Sequence, residues 1–410
     1  MQLPTESQTD LVADGSHERL FITDRTGGSV LVTDYTGQTL AQLTDMEGAS
    51  SIVLSPDSRT VYVALRDANA IAAIDTETLT ETARYATGEG TAPTTLAVAG
   101  GKVWFGFGGI GTSHLGSVDV SSADPVVRLD HDGSWSRAPL LASSPGNPDV
   151  LVAGEDSLTF PDLTVYDVSS DTPQVRVRKD SPGEPGSHYL TDLAMTPSGD
   201  EIVTASGNPH ALQVFSTDDL SQTSSHPVTS SPRAVGVGAD GALAAGFFES
   251  WSQDVFTFRP GYSAPLAKFE VADQPSGVRI GGVAWGDGAD HPMLFALTGD
   301  GLHILEDAAN ARTAVSLTAP TTAKKNKELT VTGALTPSGT FDPDASVLVF
   351  RYDATHPDGL DLGSVPVAAD STFAFTDSVR QPGQVEYRVW YNADAWHHAG
   401  MDSATVEITN

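Results

Sequence analysis

A pair of histidines near the end of the chain has the residue types that a metal site needs. His397 and His398 lie between Asp394 and Asp402, and imidazole and carboxylate groups are common ligands of divalent metals. Neighbouring residues of a strand point to opposite faces, however, so the two rings would not meet at one ion. Two interpretations stay open, a metal site or two histidines of a surface loop.

Two short acidic segments carry oxygen ligands of the kind that calcium prefers. Residues 130–133 (Asp-His-Asp-Gly) and 287–290 (Asp-Gly-Ala-Asp) resemble parts of calcium-binding loops. Both lack the full ligand spacing of an EF-hand loop. We therefore predict that the protein has no resident cofactor, with a bound calcium ion as the alternative.

The chain contains no motif of an established catalytic type. No Gly-x-Ser-x-Gly elbow, His-Glu-x-x-His pair or Walker loop occurs, and Cys is absent. Residues 106–111 (Gly-Phe-Gly-Gly-Ile-Gly) are glycine-rich, but no helix is predicted after them that could offer its N-terminus to a phosphate. We therefore predict that the protein is not an enzyme.

The overall charge narrows the range of partners. The 410 residues carry a formal net charge of −31, and such a surface repels nucleic acid and anionic membranes. No apolar run is long enough to span a bilayer. The predicted partners therefore include neither nucleic acid nor a membrane span.

The elements that must position any site are short strands that recur about every 45 residues. In the clearest copy, a strand that begins at Ser50 leads through the turn Ser55-Pro56-Asp57-Ser58 into a second strand, residues 60–64, and two more strands follow. The first strand of each copy starts near Asp10, Ser50, Thr94, Pro139, Leu190, Ala234 and Gly281. Four short strands in each of seven copies predict a seven-bladed β-propeller, because single sheets bury both faces only by stacking around an axis.

The sequence pattern of the repeat resembles that of a known family. Ser-Pro-Asp at residues 55–57, Val-Tyr-Val at 61–63 and Ile-Asp-Thr at 74–76 are similar to the YVTN repeats of bacterial WD40-like propellers. The resemblance covers about three quarters of the chain, and the residue usage resembles that of secreted actinobacterial proteins. It implies a propeller fold but no particular activity, since such propellers host unrelated functions.

Closure of the last blade has two alternatives in the sequence. The seventh copy ends near Asp307, and its fourth strand is not evident. Residues 308–315 could supply that strand, or residues 3–8 could add one from the N-terminus.

The last quarter of the chain predicts a second domain. We place the propeller at residues 1–311 and the second domain at 312–410, where short alternating strands fit the size of an immunoglobulin-like sandwich. Val385, Tyr387, Val389 and Tyr391 alternate with polar or exposed positions, which predicts one buried face. The phrase at residues 387–394 resembles bacterial Ig-like repeats of extracellular proteins, which implies a spacer or docking module and a secreted protein. The remaining strands are predicted at residues 313–320, 328–335, 346–352, 364–368, 371–375 and 404–408.

Large side chains concentrate on one predicted face of the propeller. We call upper rim the connections between successive blades together with those between the second and third strand of a blade. Rings next to polar groups suit the recognition of sugars and peptides. The predicted ligand-binding residues on this rim are Trp135, Arg137, Phe160, Tyr189, His210 and Trp251. The alternative is that such rings fold inward and cap the core.

A catalytic alternative depends on the family resemblance. Related propellers include lactonases that hold a metal ion with acidic residues at the mouth of the axis. In this chain Asp24, Glu155 and Asp254 are the candidates for such ligands, and acidic surface loops are the simpler interpretation.

The most economical prediction is a secreted, non-catalytic recognition or scaffold protein. Its propeller rim would bind a glycan, a cell-surface polymer or a protein partner. The alternatives are a structural or targeting subunit of a larger extracellular complex and a lactonase-like, metal-dependent propeller hydrolase.

Overall fold

Strands are the regular secondary structure of this chain, and they hold about half of its residues. The structure is a computed structural model that describes residues 1–121, 124–129, 131, 135–155, 162–180, 188–248, 253–271, 277–287 and 292–410. Within these ranges no helix occurs. The residues form two compact units, the first from Met1–Gly261 and Lys268–Ala308, the second from Tyr262–Ala267 and Ala309–Asn410.

The first unit consists of consecutive antiparallel sheets in which sequence order equals spatial order. The first two sheets are β1 (Gln8–Asp14), β2 (Arg19–Asp24), β3 (Ser29–Asp34), β4 (Thr39–Leu43), and β5 (Ala49–Leu54), β6 (Thr60–Leu65), β7 (Ala70–Asp75), β8 (Thr80–Ala86). The third and fourth are β9 (Thr95–Ala99), β10 (Lys102–Gly109), β11 (Thr112–Asp119), β12 (Val126–Arg128), and β13 (Leu140–Ser143), β14 (Val150–Gly154), β15 (Asp162–Asp167), β16 (Gln174–Asp180).

The remaining sheets of this unit follow the same plan. The fifth and sixth are β17 (His188–Met195), β18 (Glu201–Asn208), β19 (Ala211–Ser216), β20 (Gln222–Pro227), and β21 (Pro232–Val237), β22 (Leu243–Phe247), β23 (Val255–Phe258), β24 (Ala267–Phe269). The seventh is β25 (Val278–Asp287), β26 (Pro292–Thr298), β27 (Leu302–Leu305), with three strands among the described residues.

Burial explains the residue pattern of these strands. The second and third strands are covered on both faces, so they are continuous apolar runs such as Val61–Leu65 in β6 rather than alternating patterns. The fourth strand lies at the outer edge, and β8 is polar and mostly exposed. Turns follow the predicted chemistry, since the Ser55 hydroxyl donates to Asp57 (2.7 Å) and accepts the N–H of Thr60 (3.0 Å).

Apolar cores lie between successive sheets and close into a circuit. Between the first two sheets, Phe21 and Val32 pack with Val61, Val63 and Ile74. Corresponding cores join each later sheet to the next. A last core places residues of the seventh sheet against the first sheet, through Phe295, Leu297 and Leu302 from one and Leu20, Ile22 and Leu31 from the other. The first strands therefore surround a common axis.

The N-terminal residue is hydrogen-bonded to the last strand of the seventh sheet. The amino group of Met1 donates to the carbonyl of Leu302 (2.7 Å), and the N–H of Leu302 donates to the carbonyl of Met1 (2.9 Å). Leu3 is buried in the same core. Residues 308–315 instead lead into the second unit, where Ala314 begins its first strand. Neither predicted segment forms a fourth strand of this sheet among the described residues, and the residue that pairs with β27 is Met1, which precedes the predicted range 3–8.

The second unit is a pair of packed sheets. One contains β28 (Ala314–Thr318), β30 (Glu328–Thr336) and β33 (Thr372–Ser378), and the other contains β29 (Thr322–Lys324), β35 (Gly400–Thr409), β34 (Gly383–Tyr391), β31 (Ser346–Asp353) and β32 (His356–Pro366). Val385, Tyr387, Val389 and Tyr391 face the buried side, as their alternation predicts. The strand expected at residues 364–368 is observed earlier in the chain, as β32. It was misplaced because Gly359 and Gly363 interrupt the strand pattern of the sequence, although both lie within β32 with positive φ angles.

Candidate functional site

The first strands of the propeller sheets lose their regular register near the upper rim. Such β-bulges add a residue to one strand and redirect side chains, and they are frequent next to functional sites. Register shifts interrupt β1 between Gln8 and Leu11, β5 between Ala49 and Ile52, β17 between Leu190 and Asp192, β21 between Pro232 and Ala234 and β25 between Val278 and Val283. The irregular residues face the axis or the neighbouring sheet.

A Thr or Ser at the start of the irregular segment ties adjacent sheets together. The Thr191 hydroxyl donates to the carbonyls of Ala205 in its own sheet (3.1 Å) and Pro232 in the next (2.8 Å). Thr9 makes the same kind of contact with the carbonyl of Ala49 in the second sheet (3.2 Å). These bonds hold the irregular segments in fixed positions.

The next residue in two of the sheets is an aspartate. Asp10 accepts the N–H of Leu11 (2.9 Å) and, across to the second sheet, that of Ile52 (3.1 Å).

Asp192 repeats this arrangement in the fifth sheet. It accepts the N–H of Leu193 (2.9 Å) and, across to the sixth sheet, that of Val235 (2.8 Å). The two carboxylates are therefore equivalent groups in different sheets.

These carboxylates line a cavity of ≈ 320 Å³ on the axis, which we call the axial cavity. Its walls combine hydroxyl and apolar side chains. The lining residues include Thr9, Asp10, Ser50, Ser51, Thr94, Thr95, Leu140, Asp192, Val235, Ile280 and Gly281. A second, more apolar cavity of ≈ 400 Å³ shares Ile52, Leu96 and Leu193 with it and continues toward the opposite rim. Together they form a channel whose polar part lies at the upper rim.

Burial changes the protonation of both carboxyl groups. Burial is the largest effect on Asp10 and raises its pKa to about 8. The hydrogen bond from the N–H of Ile52 lowers the pKa by less than burial raises it, and the charge of Asp192 raises the pKa as well. Burial likewise raises the pKa of Asp192 to about 7, against the N–H bonds from Val235 and Leu193. Near neutral pH both groups are therefore poised between their acid and base forms, as functional carboxyl groups often are.

The sequence-based prediction missed Asp10 and Asp192. A signal was present, because the tripeptide Thr-Asp-Leu occurs at residues 9–11 and again at 191–193, each time at the start of a first strand. The repeated tripeptide indicates a site only if both copies face the same axis, and that follows from the closed circuit of sheets.

The predicted rim residues separate into exposed and buried groups. Tyr189 is 46% exposed, and Arg137 and His210 are exposed as well. Trp135 is instead buried at 7% exposure in the core between the third and fourth sheets, and its backbone pairs with Ser113. This corrects the expectation of an exposed ring and agrees with the alternative of a ring that caps the core. Phe160 and Trp251 lie outside the described residues.

Two further apolar side chains at the upper rim are exposed. Phe248 follows β22 and is 47% exposed, with the guanidinium of Arg233 4.6 Å from its ring centre. Ile280 lies in the irregular part of β25 and is 51% exposed. Tyr189, Phe248 and Ile280 belong to the fifth, sixth and seventh sheets, and Ile280 also lines the axial cavity.

The carboxylates proposed for a catalytic metal have structural roles in separate sheets. Each accepts backbone N–H groups of a connection between sheets. The bonds run to Asp24 from Glu6 and Ser7 (2.9 and 2.8 Å), to Glu155 from Ser136 (2.6 Å) and to Asp254 from Val271 (3.0 Å). None of the three lines the axial cavity.

Of the two histidines in the second unit, His397 has a structural role, and His398 is exposed. His397 is buried, with Nδ1 bonded to Asp394 (2.9 Å) and Nε2 to the Thr340 hydroxyl (2.9 Å), and its ring stacks on Phe341 at 4.2 Å. Both ring nitrogens are therefore engaged. In the ranges that the structure describes, no three His, Asp or Glu side chains are grouped as around a metal ion. The calcium-like segments at 130–133 and 287–290 lie largely outside those ranges.

Comparison with known proteins gives structural but not sequence relatives. No protein-family model and no curated protein matches the chain. Hydrazine synthase of Kuenenia stuttgartiensis is similar with a TM-score of 0.58 at 14% identity, over 75% of this chain and 97% of that chain. The Cps50 (Swd1) β-propeller domain of Myceliophteria thermophila also gives 0.58 at 14% identity, over 74% and 97%.

At this level of identity the likeness defines the fold alone. The chain is an all-β protein whose repeated four-stranded antiparallel sheets match β-propellers. Within the described part of the chain, no helix has the length and apolarity needed to cross a bilayer.

Proposed function

We propose that the protein is a secreted, non-catalytic recognition protein. Its first domain is a seven-bladed propeller of the YVTN type whose upper rim binds a protein partner or a cell-surface glycan. Its second domain is Ig-like and acts as spacer or docking module, with limits near 1–311 and 312–410. Secretion and an actinobacterial origin rest on the sequence resemblances given above.

One observation carries the binding proposal. Tyr189, Phe248 and Ile280 are large, apolar and about half exposed, and they lie on the upper rim of three successive sheets. We infer that they contribute to one apolar surface bordered by polar groups, which is typical of an interaction site. The Arg233 guanidinium over the Phe248 ring adds the cation–aromatic pairing that is frequent at binding hot spots.

The strain at Tyr189 supports the same assignment. Its φ angle is +66°, a left-handed conformation that disfavours a residue with a large side chain. Such strain is concentrated at sites where a side chain must be displayed in a set direction.

Substitution of the rim tests the proposal directly. Tyr189→Ala and Phe248→Ala should each weaken binding to a glycan array or to bacterial cell surfaces by about tenfold or more, because hot-spot rings dominate binding energy. Leu40→Ala is the matched control, since Leu40 is 44% exposed on the outer strand β4. Equal binding by all three variants, or hydrolysis of a lactone panel by the purified protein, would contradict the proposal.

A second candidate is a structural subunit of a larger assembly. The strand β33 forms an edge of its sheet and pairs only with β30. It contains neither Lys nor Pro, the residues that usually block edge pairing. The opposite edge β28 is blocked, because the N–H of Leu317 donates to Asp402 (2.9 Å). Edge β33 is therefore suited to accept a strand from a partner.

The mass of the native protein distinguishes a subunit that assembles through this edge from a monomeric recognition protein. Native mass spectrometry of the parent chain should show oligomers that Ala374→Lys abolishes, because Ala374 is an exposed residue of the free edge. Thr405→Lys, at an exposed position of β35 that pairs with Glu386 of β34, should leave them intact. A monomer at every concentration would exclude self-assembly through this edge.

A further inference from the structure

The negative charge of Asp10 and Asp192 exceeds what the contact between sheets requires. In the second sheet the equivalent residue is Ser51, whose hydroxyl accepts the N–H of Leu96 in the third sheet (3.2 Å). A neutral hydroxyl therefore makes the same inter-sheet bond. In the first and fifth sheets an ionisable carboxyl group lies beside the axis, where it loses part of its hydration. The inter-sheet hydrogen bond alone does not explain why these positions are aspartate rather than serine.

No cation of the described residues balances these two carboxylates. They are the only ionisable side chains that line the axial cavity within the described chain, and neither takes part in an ion pair there. The cationic residues on the neighbouring first strands are Arg233 and Arg279. The Arg233 guanidinium lies over the Phe248 ring, and the buried Nε of Arg279 has no hydrogen-bond partner among the described residues.

The rest of the cavity wall suits the methylene groups of a ligand. Leu140, Val235 and Ile280 line the cavity together with the two carboxylates. At ≈ 320 Å³ the space is at the small end of ligand pockets. A flexible alkyl chain with a charged end, like a lysine side chain, has the corresponding combination of apolar stem and cationic head.

We propose that the axial cavity binds an alkylammonium group, such as the end of a lysine side chain presented by a protein partner. The ammonium lies between Asp10 and Asp192, and the alkyl stem contacts the apolar wall. This inference rests on the proposed recognition function and names the chemical group that the rim would recognise. Ile280 lines the cavity and is also about half exposed, so it lies where that side chain would enter.

A divalent metal fits the same cavity less well. Calcium takes about six to eight oxygen ligands, most of them from carboxylates or carbonyls. Both carboxylates here already accept N–H groups through each oxygen. The hydroxyl groups of Thr9 and Thr191 are bonded to carbonyls of the neighbouring sheets.

Calorimetric titration of the full chain with Nα-acetyl-lysine methylamide tests the inference. The matched probe is the norleucine analogue, which has a similar stem without the ammonium. The lysine derivative should bind saturably at about pH 9, and about tenfold or more weaker at about pH 6, because protonated carboxyl groups no longer attract the cation. At about pH 7 binding should release protons to the buffer.

Serine variants of the two aspartates test whether the negative charge, rather than the fold of the cavity, is needed for binding. Asp10→Ser and Asp192→Ser install the residue type that the second sheet uses and should weaken the lysine derivative about tenfold or more. Glu89→Gln removes one exposed charge outside the cavity and should leave binding unchanged. Because two independent aspartates are tested, misfolding of one variant does not remove the test.

Three results would overturn the inference. They are no saturable binding of the lysine derivative, equal binding of the norleucine analogue, and unchanged binding by both folded serine variants. Saturable calcium binding at these residues would replace it with a metal site. The small probe does not require the rim, so its binding together with normal partner binding by Tyr189→Ala would support the cavity and contradict the proposed function.

Discussion

At the residue scale, the environment of a carboxylate decides its role in this protein. Aspartates at the ends of strands, where a turn begins, accept side-chain and backbone donors, and in Asp167 the Ser169 hydroxyl bond holds the pKa down at about 2. Asp10 and Asp192 also accept backbone donors, but burial outweighs these bonds and raises their pKa values. Residue type alone therefore does not distinguish a turn aspartate from an axial one.

Stability should depend on pH through the axial pair. Because the folded pKa values of about 8 and about 7 exceed the ordinary 3.8, the folded chain retains protons that the unfolded chain loses. The free energy of unfolding should therefore decrease between pH 3.8 and about 8. Urea unfolding of the parent chain and of the Asp10→Ser/Asp192→Ser variant across this range measures the effect. The variant should have a clearly smaller slope, and an identical slope would contradict the raised pKa values.

The strain at Tyr189 predicts an unusual order of stabilities. Alanine retains the steric penalty of a positive φ angle and glycine does not, so Tyr189→Gly should be more stable than Tyr189→Ala by about 1 kcal/mol. Denaturant unfolding of both variants gives the difference. At Ala194 in the same strand, outside the positive-φ residues, the change to glycine should instead destabilise.

At the element scale, side-chain networks join strands that do not pair. In the second unit Arg351 of β31 donates to both oxygens of Asp377 in β33 (3.1 and 2.9 Å) and to Asp353 (2.9 Å). The Tyr387 hydroxyl of β34 donates to Asp377 as well (2.8 Å). Since β33 belongs to one sheet and β31 and β34 to the other, Asp377 connects the two layers.

Removal of the Asp377 charge should weaken that connection. Asp377→Asn leaves the largely buried Arg351 guanidinium without its main counter-charge, and loss of one partner of a buried pair costs about 3 kcal/mol. The effect should appear in the unfolding transition of the second unit. Glu407→Gln removes an exposed carboxylate from β35 and should change stability by less than about 0.5 kcal/mol. Similar effects of both substitutions would show that the connection contributes little.

At the scale of the whole molecule, the first unit depends on contacts between its first and last segments. The core between the seventh and first sheets includes Leu3, which is 7% exposed, beside Leu302 and Phe295. Adjacent sheets elsewhere are joined by short connections, whereas this core brings together segments from opposite ends of the unit. Its formation therefore requires the greatest loss of chain entropy.

Substitution of Leu3 by alanine tests how much the core between the seventh and first sheets contributes to stability. Leu3→Ala should lower the free energy of unfolding of the first unit by about 2–4 kcal/mol, the usual range for a buried leucine. Scanning calorimetry should show the transition of the second unit unchanged. The half-exposed Leu40 provides the control, because Leu40→Ala removes little buried surface. Equal transition temperatures for both variants would mean that the N-terminal segment does not stabilise the closed circuit.

Local patterns predicted most of the strands of this protein. Continuous apolar runs mark strands such as β6 that are covered on both faces, and Ser-Pro-Asp-Ser turns mark their ends. Strand β32 was misplaced, because its two positive-φ glycines have the same appearance in a sequence as turn residues. The regular spacing of the repeats also predicted a stacked arrangement, since isolated sheets of this kind leave apolar faces in water.

Periodicity and turn chemistry are local properties, so the all-β class and the repeated four-stranded unit were predictable from the residues alone. The burial of Trp135, the pairing of Met1 with Leu302 and the single cavity lined by Asp10 and Asp192 were not predictable in this way. These features depend on which distant segments become neighbours when the sheets close around the axis. Burial and electrostatics follow from those neighbours, and no local pattern specifies them.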